Sequence, residues 1–302
     1  MIAILSVCLN DEAKLPLFLE NMATWSCRNY EYYLIDNGST DRSLALVEAS
    51  GMATKIIRLP SNLSTTGGYN EGIRHALAAG AEYIMFLALD ALLAPDVLER
   101  LRTALEVSPE LGVVAPSLYF SHDPTRVETM GFALDRSNWR WRTLLHGPPG
   151  SSSAPGIFEV DYVDGGTSFY RAAAIQRIGG FDEQIFMYGD DQDMCLRLQL
   201  AGYKVATVTT AHAWHRHVEL NRGIMYSRPY EIFYLHRNTV YLMRKHAASV
   251  RRGAYLRALW RECMLQPAYF LIRQRSLRQA CICLEGVVHG LLGRMGKTKY
   301  VR

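Results

Sequence analysis

Along the first hundred positions, short continuous apolar runs alternate with stretches in which apolar residues recur at helical spacing. Ile2 to Cys8 is a run rich in Ile, Leu and Val that stops at Asn10-Asp11, the pattern of a buried strand. Leu15 to Met22 reads as the helix that follows. Tyr30 to Ile35 predicts a second strand, ending in the turn formers Asp36-Asn37-Gly38-Ser39-Thr40-Asp41, and Arg42 to Ala49 a second helix. Lys55 to Leu59 makes a third strand. After it comes a loop, Asn62 to Asn70, which contains Gly67-Gly68 and opens the helix Glu71 to Ala79. Ala81 to Leu89 is a fourth strand ending in Asp90, and Pro95 to Glu106 the next helix. This repetition predicts an α/β fold, Rossmann-like, with a mostly parallel central sheet covered by helices on both faces. Ligands bind such sheets at the carboxyl ends of the strands, where Asp11, Asp36, Asn37 and Asp90 fall.

The later chain is less regular. Val113 to Tyr119 predicts a further strand, and Ser121 to Phe158 then contains Gly147-Pro148-Pro149-Gly150-Ser151-Ser152-Ser153, with the composition of an exposed, mobile loop. Trp139 and Trp141 precede it, in a segment that suits either a plain edge hairpin or one that stacks on a sugar ring. Val160 to Val163 reads as a strand and Asp164-Gly165-Gly166 as a turn, with Ser168 to Ile178 leading on to Gly179-Gly180-Phe181-Asp182-Glu183.

Met194, Leu198 and Ala201 then recur at helical spacing, so a helix is expected from near Asp191 to about Gly202, with Asp190, Asp191 and Asp193 in its first turn. One carboxylate there would be a cap that satisfies unpaired N–H groups. Three within four positions exceed what a cap needs, because like charges at this range repel and drive a proton onto one of them unless a cation or a reacting proton intervenes. Lys204 to Val208 predicts another strand, followed by His212, His215 and His217. Such spacing suggests a metal or phosphate site, although in an extended segment only His215 and His217 share a face. From Pro229 onward the chain reads as helical.

Composition narrows the class. With 302 residues, 49% of them hydrophobic, the chain can bury a large core. Its six cysteines show no paired CxxC spacing, which argues against a zinc site or a disulfide framework and suits a reducing, cytoplasmic setting. The start, MIAILSVCLNDE, has no basic segment before its apolar run and reads as a strand, not a signal peptide. No apolar run approaches the ~18 residues of a spanning helix. The net charge of +4 is unevenly spread: from Arg244 on, thirteen Lys or Arg face two Glu, a balance of +11 that leaves −7 to the residues before. Interleaved with Leu256, Trp260, Phe270 and Ile272, these arginines suit a helix lying in an anionic membrane interface, or else helices packed on protein. Nucleic acid is the poorer partner, since no nucleic-acid module accompanies the charge.

Five stretches together resemble the inverting glycosyltransferases of family 2, and more closely their rhamnosyltransferase-like bacterial branch. These are Ser6-Val7-Cys8-Leu9-Asn10, the Ile35 to Asp41 segment, Asn62 with Gly67-Gly68-Tyr69-Asn70-Glu71-Gly72, Phe86-Leu87-Ala88-Leu89-Asp90, and Gly179 to Glu183 through Asp190-Asp191. Their order makes the resemblance specific, and it covers roughly residues 1–245.

The resemblance implies the type-A glycosyltransferase fold, with a nucleotide-sugar-binding catalytic domain over 1–228; composition adds a helical, basic, membrane-associating region over 229–302. It implies that Asp36 binds the nucleotide base, with Asn10, Asn37 and Asn70 lining the same donor cleft. Asp90, with His215 nearby, would hold a divalent cation, Mg2+ or Mn2+, against the donor diphosphate. Asp191 would be the general base and Asp190 its acidic neighbour, with Gly165, Gly166 and Asp190 on the acceptor side. The implied reaction moves a sugar, first of all rhamnose, from a nucleotide diphosphate donor to a saccharide or lipid-linked saccharide in cell-surface polysaccharide synthesis, at the inner face of the cell membrane. The sequence departs from the family's pattern at Ala88, two before Asp90, where a polar or acidic residue is usual. That departure bears on metal dependence and keeps open an inactive nucleotide-sugar-binding partner of a membrane complex. A nucleotidyltransferase would be expected to carry a basic, Gly-rich loop after the first strand, and the segment after Cys8 has none.

Overall fold

The computed structural model describes residues 1–145, 152–154, 156–216, 228–249 and 252–301. The expected mobile loop therefore lies outside the described residues except at 152–154, as does His217. The chain forms two compact units: 1–133, 143–181 and 194–217 in the first, 134–142, 182–193 and 218–302 in the second.

The first unit begins as the pattern predicts, with β1 (Ile2–Cys8), α1 (Leu15–Ala23), β2 (Tyr30–Asp36), α2 (Ser43–Ser50), β3 (Lys55–Arg58), α3 (Ser64–Ala78), β4 (Tyr83–Phe86), β5 (Ala91–Leu93), α4 (Val97–Val107) and β6 (Leu111–Phe120). There follow β7 (Asp123–Thr129), the two-stranded hairpin β8 (Phe132–Asp135) and β9 (Arg140–Thr143), then β10 (Ser152–Ala154), β11 (Ile157–Glu159), β12 (Phe169–Arg171) and α5 (Ala172–Ile178). α6 (Asp190–Leu200) and β13 (Lys204–His215) complete the series. The strands order as β10-β11-β13-β6-β12-β4-β1-β2-β3, with β5 on β13 and β7 on β6. The expected parallel sheet is the β4-β1-β2-β3 half. Beyond it the ladder is mixed, because β12 runs antiparallel to both β4 and β6.

Three local expectations are corrected. Gly67-Gly68 does not lie in a loop: α3 starts at Ser64 and runs through both glycines. A Cβ at Gly68 would lie 2.9 Å from Val7, and one at Gly72 2.9 Å from Ile35, so these positions are bare to let the helix approach the sheet. Val160 to Val163 is not a strand; Tyr162 makes an isolated bridge to Phe132, and β11 ends at Glu159. β13, conversely, extends to His215 through a register shift after Val208, because β5 and the end of β6 offer it partners on both edges.

The second unit takes in most of the β8–β9 hairpin and the start of α6, and from 229 on it is built of α7 (Pro229–Lys245), α8 (Arg252–Trp260), a π-helical segment at Arg261–Leu265, α9 (Gln266–Ile272) and α10 (Leu277–Leu292). α10 meets α7 through Gly286 and Gly290, whose added Cβ atoms would fall 2.6 Å from the Phe233 carbonyl and 2.5 Å from that of Arg237. Between them Arg237 is buried, its guanidinium 4.7 Å from the Tyr234 ring and its Nη1 donating to the Gly296 carbonyl at 2.6 Å. Burial lowers its pKa to about 10. His236 and Glu262, both buried, pair at 2.8 Å, and the Arg261 guanidinium also binds that carboxylate, at 2.9 Å.

The backbone contact at Gly290 is rigid, whereas Gly253 in α8 faces only the end of Arg257. Gly290→Ala should therefore lower stability by about 1–3 kcal/mol or more, while Gly253→Ala should leave it within about 1 kcal/mol. Urea unfolding of the two variants checks the contrast.

Candidate active site

In the first unit the strand ends gather polar groups as expected, but much of their hydrogen bonding is spent on one another. Asp36 ends β2 at 4% exposure, and its Oδ1 accepts from the Ser39 N–H at 3.0 Å. Asn10, in a left-handed backbone conformation (φ 56°), accepts from the N–H groups of Thr40 at 2.8 Å and Asp41 at 3.3 Å. It thus holds the loop after Asp36 in shape. Asn37 is buried, donating to the Ser64 carbonyl at 2.8 Å and accepting from the Leu63 N–H at 3.0 Å. Asn70, on α3, grips Phe181 by both backbone groups, at 3.0 and 2.8 Å. The structure thus brings Asn10 to the Asp36 loop, and commits the amides of Asn37 and Asn70 to neighbouring backbone.

A second cluster forms where β4 leads into β5. Asp90 Oδ1 lies 3.3 Å from His215 Nε2, while its Oδ2 is 3.7 Å from Lys14, which also binds Asp11 at 2.8 Å. His212 stays apart, bonded to the Thr209 carbonyl at 3.1 Å and edge-on to Tyr119. Gly165 and Gly166 form a 3-10 turn capped by Asp164, whose Oδ1 accepts from the Gly166 N–H at 2.9 Å, and the Gly166 carbonyl accepts from the Ala88 N–H at 2.8 Å. Ala88 and Gly166 are small where this turn crosses the strand: a Cβ on Gly166 would lie 3.2 Å from that of Ala88.

The electrostatics of this cluster favour a cation. Burial would lower the His215 pKa, but the bond to Asp90 and the charges of Asp164 and Glu128 outweigh it and raise it. Glu128, on β7, is pushed up to about 7 by burial, partly relieved by His215 and reinforced by Asp164 and Asp90. Among the described residues no three His, Cys, Asp or Glu are arranged to hold a metal. If a divalent ion binds here, Asp90 and His215 are the two groups that would hold it, and its other ligands would have to come from outside these two side chains. Neither Glu128 nor Lys14 was foreseen. Glu128 lies in a stretch without motif spacing, so the sequence carried no signal for it.

In the second unit, Asp190 and Asp191 open α6 as expected, and Asp191 Oδ1 accepts from the Gln192 N–H at 2.8 Å. The segment before them is fixed by α7. Tyr188 and Gly189 are consecutive left-handed residues (φ 65° and 84°), and Asn238 donates to the carbonyls of Met187 and Tyr188, each at 2.7 Å. Asp193 is fully buried, accepting from Lys245 and His246 at 2.9 Å each. Lys245 also donates to Asp182 at 2.5 Å, where Tyr241 adds a bond of 2.7 Å. Burial acts to raise the Asp182 pKa, but Lys245 and Tyr241 outweigh it and hold the carboxyl below its usual range. Asn238 lies in the stretch from Pro229 that the sequence reads only as helical, with no sign of its target.

Residues 3–178 match the family described as glycosyl transferase family 2, and the chain belongs to that family. Residues 157–220 also match one described as the N-terminal domain of galactosyltransferase. The galactofuranosyltransferase GlfT1 of Mycobacterium tuberculosis is 33% identical over 174 residues, covering 56% of this chain and 54% of the relative. The chain thus spans about half the length of that relative. An N-acetylglucosaminyl-diphospho-decaprenol L-rhamnosyltransferase of the same organism is 23% identical over 239 residues, 71% of this chain and 76% of the relative. Among solved structures, the mannosyltransferase PcManGT from Pyrobaculum calidifontis, in complex with GDP-Man and Mn2+, superposes with a TM-score of 0.60 at 14% identity, covering 99% of this chain and 76% of that one. The fold is that of the type-A glycosyltransferases.

The depressed Asp182 pKa has a definite sign. Its contribution is present above the ordinary carboxylate range and is lost as pH falls through the depressed value. Lys245→Met should lower stability by about 1–3 kcal/mol near neutrality, and the gap from wild type should narrow on acidification. Urea unfolding from pH 7 to about 3 reads this; a gap independent of pH would mean that Lys245 acts by packing alone.

Proposed function

We propose that the chain is an inverting glycosyltransferase that moves a sugar, rhamnose first among candidates, from a nucleotide diphosphate donor to a hydroxyl of a saccharide or lipid-linked saccharide. The observation that carries this reading is the Asp90–His215 pair, set among further carboxylates at strand ends of a family 2 chain. Departure of a nucleoside diphosphate builds negative charge on the leaving oxygen, and a divalent cation held at Asp90 and His215 would neutralise it. The similarity to a rhamnosyltransferase and the Mn2+ in PcManGT support the donor and the metal.

The other roles fall to the chain's own groups. Asp36 and Asn10, through the loop they shape, receive the nucleotide; Asn37 and Asn70 act by fixing the backbone around it. Asp191 takes the proton from the acceptor hydroxyl as the new bond forms, which inverts the sugar carbon in one displacement. Asp190 and the Gly165-Gly166 turn serve the acceptor. Residues 1–228 are assigned to catalysis and 229–302 to attachment, with work at the inner face of a cell membrane in cell-surface polysaccharide synthesis. Among the described residues no helix is long and apolar enough to cross a membrane.

Donor hydrolysis and transfer across a panel of nucleotide sugars, with and without Mg2+ or Mn2+, tests the reading. Wild type should turn over one donor, and Asp191→Asn should lose about 10²–10⁴-fold in rate while still binding nucleotide. Asp90→Asn should weaken the response to metal more than it weakens nucleotide binding. Nucleotide binding without turnover under every condition would favour the inactive partner instead, in keeping with Ala88.

A further inference from the structure

α10 is apolar on two faces. One face, with Cys283, Gly286, Val287 and Gly290, is buried. The other exposes Leu277, Cys281, Leu284, Val288 and Leu291, at successive spacings of four, three, four and three, with Leu292 beside them. This is an unbroken stripe along a helix whose core contacts are already made. α8 and the π-helical segment behave alike, exposing Leu256, Trp260 and Met264 four residues apart.

Charge decides what covers the stripe. The two carboxylates in residues 252–301 are both engaged: Glu262 is buried against His236 and Arg261, and Glu285 is held by Lys299 at 2.8 Å and by Tyr300 at 2.6 Å. The exposed charges around the apolar residues are basic, among them Arg273, Arg275, Arg278 and Arg294. A second copy of the chain would set arginine against arginine. An anionic lipid surface offers hydrocarbon to the leucines and phosphate to the guanidinium groups at once.

Resting on the reading of a transferase at a membrane, we propose that the exposed Leu277–Leu292 stripe of α10 is the surface that enters the lipid. The helix lies in the plane of the interface, its Gly286–Gly290 face on α7 and its leucine face in the acyl boundary. Trp260 sits at headgroup level, and the arginines bind lipid phosphate.

The test is co-sedimentation of the full chain with vesicles of phosphatidylglycerol and phosphatidylcholine, and with phosphatidylcholine alone. Light scattering gives the oligomeric state, and donor turnover is followed separately. Wild type should bind the anionic vesicles, less so as salt rises from about 0.05 to 0.5 M. Leu284→Asp combined with Val288→Asp, both on the exposed face, should bind at least tenfold more weakly with the unfolding curve unchanged. Arg275→Gln with Arg278→Gln should weaken binding and flatten its salt dependence. Undiminished vesicle binding by the Leu284/Val288 variant would overturn the proposal. So would a wild type that ignores vesicles but forms a dimer which this variant loses, since a second copy would then be the occupant. Vesicle binding that follows the predicted order without turnover of any donor would uphold the docking face and reject the proposed reaction.

Discussion

An irregular loop at the end of a strand leaves peptide N–H and C=O groups that no ladder satisfies, and here asparagine side chains satisfy them. An amide carries both a donor and an acceptor, so one side chain can close both groups of an approaching peptide. Asn21 does this to Leu93, Asn70 to Phe181, and Asn37 to the pair Leu63 and Ser64. Asn10 gathers the N–H groups of Thr40 and Asp41, and Asn238 the carbonyls of Met187 and Tyr188. Two of the braced segments lie next to residues of the proposed chemistry: Thr40-Asp41 in the loop after Asp36-Asn37, and Met187-Tyr188 just before Asp190-Asp191. The carboxylates keep their positions because the backbone beneath them is held by neutral amides, which do not titrate with them.

Charge is arranged differently in the two units. In the first, Asp90, Glu128 and Asp164 act on His215 together, and the result is a region that holds protons more tightly than its residues would alone. Lys14 answers part of that charge from the side of Asp11. The excess is negative, the sign that a divalent cation of the proposed reaction would offset. In the second unit the balance is already internal: Lys245 and His246 at the end of α7 are bound to Asp182 and Asp193. Those two carboxylates fasten the acidic segment to its helix.

The parallel half of the sheet was legible because each strand there is a buried apolar run ended by polar turn residues; β1 has the predicted limits and β2 differs by one residue. Legibility fails where a residue type serves two purposes. Gly67-Gly68 has the composition of a turn, and only the distance to Val7 shows that the glycines are spacers inside a helix. The end of β13 could not be read from its own sequence, since its length depends on partners at residues 91–93 and 118–120. Among the residues of the proposed site, the position of Asp36 at the end of β2 could be read from the pattern, and Asp90 and His215 could be named from motif, though not their 3.3 Å approach. The bracing role of Asn37 and Asn70 could not, because an amide aimed at backbone looks the same in sequence as one aimed at a ligand. Glu128 was invisible for a plainer reason: it reaches the cluster from a hairpin strand whose register follows no local signal.

α10 shows how such ambiguity is resolved by close approach. Its sequence is apolar on two faces, and hydrophobic periodicity cannot say which is core. Gly286 and Gly290 break the tie, because only the face carrying them can come within reach of the α7 backbone at Phe233 and Arg237. Once that face is fixed, rotation of the helix is fixed, and the leucines at 277, 284 and 291 must point to the outside. Their exposure is therefore imposed by the packing of the unit and is not a fault in it. A fold that needed only stability would have placed polar residues there, at no cost to the α7 contact. Keeping large apolar side chains instead, with arginines as the exposed charge around them, assigns that face to something other than folding.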